Sequence, residues 1–534
     1  MKKLSSRKRK WIERTVSNDR SYKAVLYNRC FILLISATLQ LLVFSTLIWA
    51  IAYRSVIGIA VQVLAWVLSL IFAVHLLNKE GNPSMRISWI ILILITPLFG
   101  VPMYLFNGRG RPARKLKKAI QAEKERIENA LGTQFSQADA RGGVVCADRN
   151  DALGNLIQRY GLYPTYAEGE VKYYPCGEKM FADMLEALQK AKRYILLEYF
   201  VIAHGKMWNE ILKILLEKAM QGVQVRIVYD DFGCIVTLPR DYERYLEGLH
   251  ENIKCVTFNR VMPLLSARVN HRDHRKILVV DGVVAFTGGI NLADEYINEK
   301  KRFGHWKDAG VRITGTAVRS FVKMFFYLYN AVANVREDIL AYMPEDSEVL
   351  PSGTLRVQPY DDSPLDNLPI AEMVYEDIID CAKDYVWICT PYLVLDDKMR
   401  DTLCRAGMRG VDVRIVTPAV PDKKTTYRLT RANYAILLES GVKIYEYTPG
   451  FIHAKTVIAD DKRAVVGTVN FDYRSFYHHF ENAVYFSGCD AVYDLKKDCE
   501  ETFAVSRQRT KENYKRSAIG RGVDSVLRAF ETLF

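Results

Sequence analysis

A chain of 534 residues with 74 Lys+Arg against 61 Asp+Glu carries a formal charge of +13 and is long enough for two globular lobes with appendages. That balance suits a nucleic acid or an anionic membrane equally, so charge alone chooses neither. Ten cysteines without a C-x-x-C pair exclude recognised zinc spacings and a secreted disulfide framework, and imply reduced thiols in a cytosol-facing domain.

Residues 1–29 form a basic tail (Lys2, Lys3, Arg7, Lys8, Arg9, Lys10), and residues 30–107 read as a membrane region with apolar segments 30–52, 56–77 and 87–106. The first two are each long enough to span a bilayer, while the third is broken by Pro97, Gly100 and Pro102. A cleaved signal peptide does not fit, because the first apolar run is too long and starts too late. A second basic cluster (Arg109, Arg111, Arg114, Lys115, Lys117, Lys118) follows the last segment. Basic flanks on both sides place both ends in the cytoplasm and call for an even number of crossings. Either the third segment is re-entrant or the charge bias is overruled; the expectation is a multi-pass protein whose catalytic part faces the cytoplasm.

Residues 108–140 are charged and helix-prone with weak amphipathic spacing, which predicts a solvated or interfacial linker helix. Beyond residue 141, helical patterns alternate with β-branched and aromatic runs, the sign of an α/β fold. Segments recur: Ala191-Lys192-Arg193-Tyr194-Ile195-Leu196-Leu197 resembles Ala382-Lys383-Asp384-Tyr385-Val386-Trp387-Ile388, and Gly222–Val228 resembles Gly410–Val416. Two lobes, 141–345 and 346–505, are therefore expected, with Pro344 to Asp366 as the boundary and the motifs face to face. A basic amphipathic tail, 506–534, suits either docking on the lobes or binding to a membrane surface.

The chemistry lies in a repeated pattern, H-x-K-x₄-D-x₆-G-x₂-N. It comprises His274, Lys276, Asp281, Gly288 and Asn291, then His453, Lys455, Asp460, Gly467 and Asn470, with every element displaced by 179 residues. Residues two apart on a strand share a face, so each His projects with its Lys. Asp281-Gly282 signals a tight turn, which folds Gly288 and Gly289 back opposite the His/Lys pair. Glycine there lets a substrate phosphate approach the backbone; Gly467 and Thr468 hold the same place in the second copy. Two histidines can divide attack on phosphorus from protonation of the leaving alkoxide. Two lysines and two asparagines supply charge and hydrogen bonds to the transition-state oxygens. The catalytic set expected is His274, Lys276, Asp281, His453, Lys455 and Asp460, with no metal or other cofactor. His271 and His274 form H-x-x-H, but without partners at zinc spacing. Asp308 and Glu481, each about thirty residues after a motif histidine, are candidates to orient the imidazoles, or else surface carboxylates. The histidines at 75, 204, 250, 305, 478 and 479 read as structural or solvated.

The paired motifs resemble those of the phospholipase D superfamily, and more narrowly the bacterial cardiolipin synthases. The narrower resemblance rests on Asn270-His271-Arg272-Asp273-His274-Arg275-Lys276, Gly288-Gly289-Ile290-Asn291, Thr390-Pro391-Tyr392 and the run from Gly467 to Ser475. The Pro-Leu-Phe-Gly core and Tyr-Leu-Phe-Asn-Gly ending of Ile87 to Gly108 also look like the membrane segment of those enzymes. Two departures stand out: an extra apolar span precedes the usual pair, and His478-His479 occupy a stretch where the family usually has Leu-Asn. The resemblance implies two duplicated phospholipase D-like α/β lobes behind an N-terminal helical transmembrane region. It further implies transfer of a phosphatidyl group between two phosphatidylglycerol molecules through a phosphatidyl-histidine, with His274 as nucleophile and His453 as general acid then base, or the reverse. Phosphatidylglycerol and anionic membrane lipids are the expected partners, with no nucleic acid, and the oligomeric state is left open. A phospholipase D-type hydrolase, or a transferase using another acceptor alcohol, shares the same motif. A nuclease on this fold needs no membrane anchor, and a non-catalytic scaffold needs no intact His, Lys and Asn in both copies.

Overall fold

The computed structural model describes residues 56–105, 114–140, 144–145, 151–261, 270–343, 354–366, 368–514 and 517–533, with isolated helical positions at Thr38, Leu42, Ser45 and Thr46. The tail 1–29 and most of the apolar segment 30–52 lie outside these residues.

The unbroken apolar run at 56–77 forms helix α1 (Val56–Leu77). Among the described residues it holds the one stretch, Gly58–Leu77, long and apolar enough to cross a bilayer. Val63, Leu64, Ile71 and Val74 are more than half exposed, leaving a long apolar face uncovered by the rest of the described chain. The third apolar segment is not a single crossing. It splits into α2 (Pro83–Ile95) and α3 (Pro97–Met103) because Pro97 disfavours a helical backbone at Thr96. Thirteen residues rise only about 20 Å against a hydrocarbon core of about 30 Å. α3 folds back on α2 so closely that a Cβ on Gly100 would stand 2.6 Å from the Leu92 carbonyl oxygen. Leu76, Ile93, Val101 and Tyr104 clamp both pieces onto α1. The expected linker helix, α4 (Arg114–Ala140), is also corrected. It buries Ile120, Ile127 and Leu131 and packs along α5 (Val318–Ala333), with Lys323 of α5 paired to Glu128.

Strands β1 (Val171–Tyr174), β2 (Tyr194–Tyr199), β3 (Gln224–Asp230), β4 (Ile253–Phe258), β5 (Lys276–Val280), β6 (Val284–Gly288) and β7 (Gly310–Thr314) form a sheet in the order β1-β7-β6-β5-β2-β3-β4. The second half repeats it. β8 (Arg356–Asp362), β9 (Tyr385–Cys389), β10 (Asp412–Pro418), β11 (Lys443–Tyr447), β12 (Thr456–Ala459), β13 (Arg463–Gly467) and β14 (His479–Ser487) run in the order β8-β14-β13-β12-β9-β10-β11. The motif strands β5 and β12 are buried along their whole length, which suits sheets covered on both faces.

The lobe boundaries differ from the expected ones. β8 lies inside the supposed linker Pro344–Asp366. Thr165–Tyr166, assigned to the first lobe, pairs instead with β8 of the second, and β15 (Ser506–Arg509), assigned to the tail, extends the second sheet beyond β11. The rest of the tail docks: in helix α6 (Ala518–Arg528), Asp524 accepts from Arg428 at 2.7 Å, and the Thr532 hydroxyl donates to Ser88 of α2 at 3.0 Å. The N-terminal end of α2 meets the same region, where the Asn82 amide donates to Asp396 and to the Tyr477 hydroxyl, each at 2.7 Å.

The lobes share one apolar core, in which Val279 and Phe325 from the first half join Val457 and Val484 from the second. Within it Arg275 is fully buried, ion-paired to Glu198 of β2 at 2.5 Å, Asp273 at 3.2 Å and Asp361 of β8 at 3.7 Å. One guanidinium therefore ties the lobes together beneath the motif strand. Arg275→Met leaves Glu198 and Asp273 without their cation, and Asp361 with Lys124 at 3.9 Å, and is expected to cost about 3–5 kcal/mol. An unchanged melting temperature of the detergent-solubilised protein would remove this bridging role.

Candidate active site

The two residues ahead of each motif histidine pair with the opposite lobe. Arg272–Asp273 runs parallel to His479–Phe480, and Gly450–Ile452 runs parallel to His305–Lys307. The His274 amide donates to the Phe480 carbonyl at 2.9 Å and the His453 amide to the Lys307 carbonyl at 2.7 Å. The site therefore has approximate twofold symmetry. Strand alternation sends His274 and Lys276 to the cleft side and Arg275 into the core.

Asp308 and Glu481 do orient the imidazoles, but crosswise. His274 Nδ1 lies 2.9 Å from both Glu481 oxygens, and His453 Nδ1 lies 2.8 Å from Asp308 Oδ2. Each histidine thus takes its carboxylate from the other lobe rather than from the position thirty residues downstream. The reason is the parallel pairing, which brings the residue after 480 or 307 beside the opposite motif. An ionised carboxylate only accepts, so Nδ1 donates and Nε2 carries the lone pair. Glu481 is further held by the Thr468 hydroxyl, and Asp308 by the Ala309 amide at 2.9 Å.

His274 and His453 are 7 % and 8 % exposed, so only their tips meet the cleft. Burial, reinforced by Lys276 and Lys455, holds His274 well below the usual imidazole range. Burial and Lys455 bring His453 down to about 4, against the opposing pull of Asp308. Burial likewise lowers Lys276 to about 8 and Lys455 to about 7. Lys276 Nζ donates to the His274 carbonyl at 2.6 Å and Lys455 Nζ to that of His453. Each ammonium has three donors, so protons remain for an anion between the two.

The asparagines serve mainly as struts. Asn291 accepts from the Val201 amide at 3.0 Å and donates to the Tyr296 hydroxyl at 2.7 Å, while Asn470 donates to Asp472 at 3.1 Å. The glycines answer to neighbouring strands rather than to room for a phosphate. A Cβ on Gly288 would meet the Ala309 oxygen at 2.4 Å, one on Gly289 the Asp308 carboxylate at 2.0 Å, and one on Gly467 the Ala483 Cβ at 2.4 Å.

Asp281 and Asp460 are not at the site. Seven residues of strand put them roughly 20 Å from their histidines. There, at φ 54° and 53°, each caps the start of a neighbouring strand. Asp281 accepts from the amides of Lys192, Arg193 and Tyr194 at 2.7–2.8 Å, and Asp460 from those of Lys383, Asp384 and Tyr385 at 2.8–2.9 Å. The conserved spacing of the motif thus joins one catalytic end to one structural end.

Residues read as ordinary prove central. His479 and Trp306 are symmetry counterparts, each with its ring 5.4 Å from a motif histidine. Tyr296 stands 5.4 Å from His453, and Phe200 stands 5.0 Å from His274. The available signal was positional, because His479 precedes Glu481 by two residues, as Trp306 precedes Asp308.

Residues 184–306 and 375–503 each match the family described as cardiolipin synthase, PLD-like domain, and residues 64–109 match the phospholipase D-nuclease N-terminal family. The chain is 33 % identical over 459 residues to a cardiolipin synthase of Alkalihalophilus pseudofirmus, covering 83 % of this chain and 89 % of that one. The chain belongs to the cardiolipin synthase family. It is also 32 % identical over 441 residues to a cardiolipin synthase of Geobacillus kaustophilus, covering 82 % of this chain and 86 % of the relative. The fold matches the crystal structure of the phosphatidylserine synthase of Haemophilus influenzae at a TM-score of 0.54 and 14 % identity, over 72 % of this chain and all of that one. The enzyme is a phosphatidyltransferase of the phospholipase D superfamily, acting on phospholipid.

Asp281→Ala tests the division of the motif. Removing the carboxylate that accepts from three backbone amides is expected to lower stability by about 1–3 kcal/mol. The folded fraction should keep turnover per active site within about threefold. A loss as deep as that of a histidine variant would return Asp281 to the chemistry.

Proposed function

We propose that the enzyme transfers a phosphatidyl group from one phosphatidylglycerol to the hydroxyl of another, giving cardiolipin and glycerol. The observation that carries this reading is the pair of buried neutral imidazoles, each fixed in one tautomer by a carboxylate of the opposite lobe, with two lysines beside them. His274 Nε2 attacks phosphorus, the P–O bond to glycerol breaks, and the departing oxygen takes a proton from His453. The incoming hydroxyl then returns a proton to His453 as its oxygen attacks phosphorus and the P–N bond breaks. His453 needs a proton for the first step, and the bound phosphodiester supplies the negative charge that raises its affinity for one. Lys276 and Lys455 carry the positive charge against the transition-state oxygens. Assignment of His274 as nucleophile follows the family resemblance.

Substrate enters from the bilayer. α2 docks next to Tyr473 and Tyr477, a few residues past Asn470, so the membrane region and the cleft are mechanically joined. The basic clusters around the apolar segments support placing the lobes at the cytoplasmic face of the bacterial membrane.

Purified enzyme given phosphatidylglycerol, with and without phosphatidylethanolamine, is expected to release glycerol and cardiolipin by mass spectrometry. Phosphatidic acid without cardiolipin would make it a hydrolase. Consumption of phosphatidylethanolamine with release of ethanolamine, in place of one phosphatidylglycerol, would change the donor. His274→Ala and His453→Ala should each lower transfer by at least about 10³-fold, and radiolabelled donor should leave label on the His274 peptide alone.

The lowered pKa values set a pH window for kcat/KM. The nucleophile His274 stays neutral through mildly acid solution, because burial and the two lysines hold it well below the usual imidazole range, and the charge of Lys455 and Lys276 is lost as pH rises through about 7 and about 8. Initial rates at low lipid should therefore plateau in mildly acid solution and decline on the alkaline side of neutrality. A profile level to about pH 9 would show that the lysines keep their protons.

A further inference from the structure

The two halves of the site differ at one position with chemical consequence. Trp306 flanks His453, whereas an imidazole, His479, flanks His274. His479 is 9 % exposed, and its Nδ1 is buried without a hydrogen-bond partner, 3.6 Å from Glu481 Oε1. His274 Nδ1 lies 2.9 Å from the same carboxylate. The three ligand atoms of His274, His479 and Glu481 fall within 4.8 Å of one another, and all three residues are buried. Tetrahedral zinc with bonds of about 2.0 Å needs ligand atoms about 3.3 Å apart, so the three groups, now within 4.8 Å of one another, close on the ion by at most about 1.5 Å.

We propose that His274, His479 and Glu481 form an inhibitory site for a divalent transition metal, with zinc the best fit to two imidazoles and one carboxylate. The site goes beyond the transfer reaction proposed above, whose steps run through the two histidines and the two lysines. Coordination at His274 Nδ1 displaces its proton from the Glu481 hydrogen bond to Nε2. No proton is gained or lost overall, but the Nε2 lone pair that would attack phosphorus is consumed. Lys276, Lys455 and Arg474 repel a cation here, so binding is reversible rather than structural. The Trp306 side of the cleft cannot do the same, because indole offers no lone pair to a metal.

Cobalt(II) titrated into the full-length enzyme in detergent is the direct probe. Wild type should develop the visible absorption of a tetrahedral nitrogen and oxygen site, displaced by zinc. His479→Asn, verified as folded by its melting temperature, should bind at least about tenfold more weakly, while His271→Asn should match wild type. In parallel, zinc should inhibit wild type reversibly, with recovery on adding EDTA. The midpoint for His479→Asn, taken relative to that variant's own metal-free rate, should shift upward by the same factor. Equal cobalt spectra in wild type and His479→Asn, no tetrahedral absorption at all, or loss in His271→Asn instead would each overturn the site. The absorption readout does not depend on which lipid product forms, so it can fail or succeed independently of the proposed transfer.

Discussion

The site depends on a crossed pair of hydrogen bonds, His274 to Glu481 and His453 to Asp308, in which neither lobe owns both partners. A lobe alone would hold a histidine facing solvent and a carboxylate facing nothing, so undocking disables both imidazoles at once. The crossing is a backbone event before it is a side-chain event. Parallel pairing of 272–273 with 479–480 and of 305–307 with 450–452 delivers each carboxylate to the opposite motif. Everything that holds the lobes together is thereby a determinant of imidazole tautomer.

Beneath the crossing, the structure invests charge where apolar packing would suffice for stability. Arg275 alternates to the side opposite His274 and Lys276 and bridges Glu198 with Asp361 in the core. Such a buried ion pair adds little net stability, but it penalises any docking that separates its members. Above it, two lysines are buried beside two histidines, an arrangement unfavourable until an anion arrives. Burial is the chief cost to both ammonium groups, and Asp308 and Glu481 offset part of it.

The halves are alike in backbone and unlike in lining. His453 is surrounded by Tyr296, Trp306 and Phe451, and His274 by Phe200 and His479. Thr468 bonds Glu481, while its counterpart Gly289 leaves Asp308 to a backbone amide. A duplicated fold thus places two chemically identical imidazoles in unequal surroundings, the asymmetry on which the proposed division of labour between them rests. The apolar N-terminal helices meet the second half of the chain through Asn82 and Met85.

The H-x-K spacing, the glycine pairs and the alternation of strands and helices are local properties, and local periodicity was enough to read the duplication, the α/β class, the projection of each motif His with its Lys and the apolar helix at 56–77. The sequence also marked Asp308 and Glu481 as unusual carboxylates. Partner choice was beyond it, because which histidine each serves depends on contacts between residues 145 and 207 positions apart. Asp281 and Asp460 were misread for the same reason, since spacing along a strand says nothing of direction away from the site. Gly288, Gly289 and Gly467 are required, but by neighbouring backbone that only packing reveals. The weakly amphipathic helix at 114–140 found its burial against α5, and the broken segment at 87–106 found its fold in a close approach to itself. Sequence alone determined which residue types could do phosphoryl transfer; tertiary structure decided which of them meet, because the site is an interface between two halves of one chain.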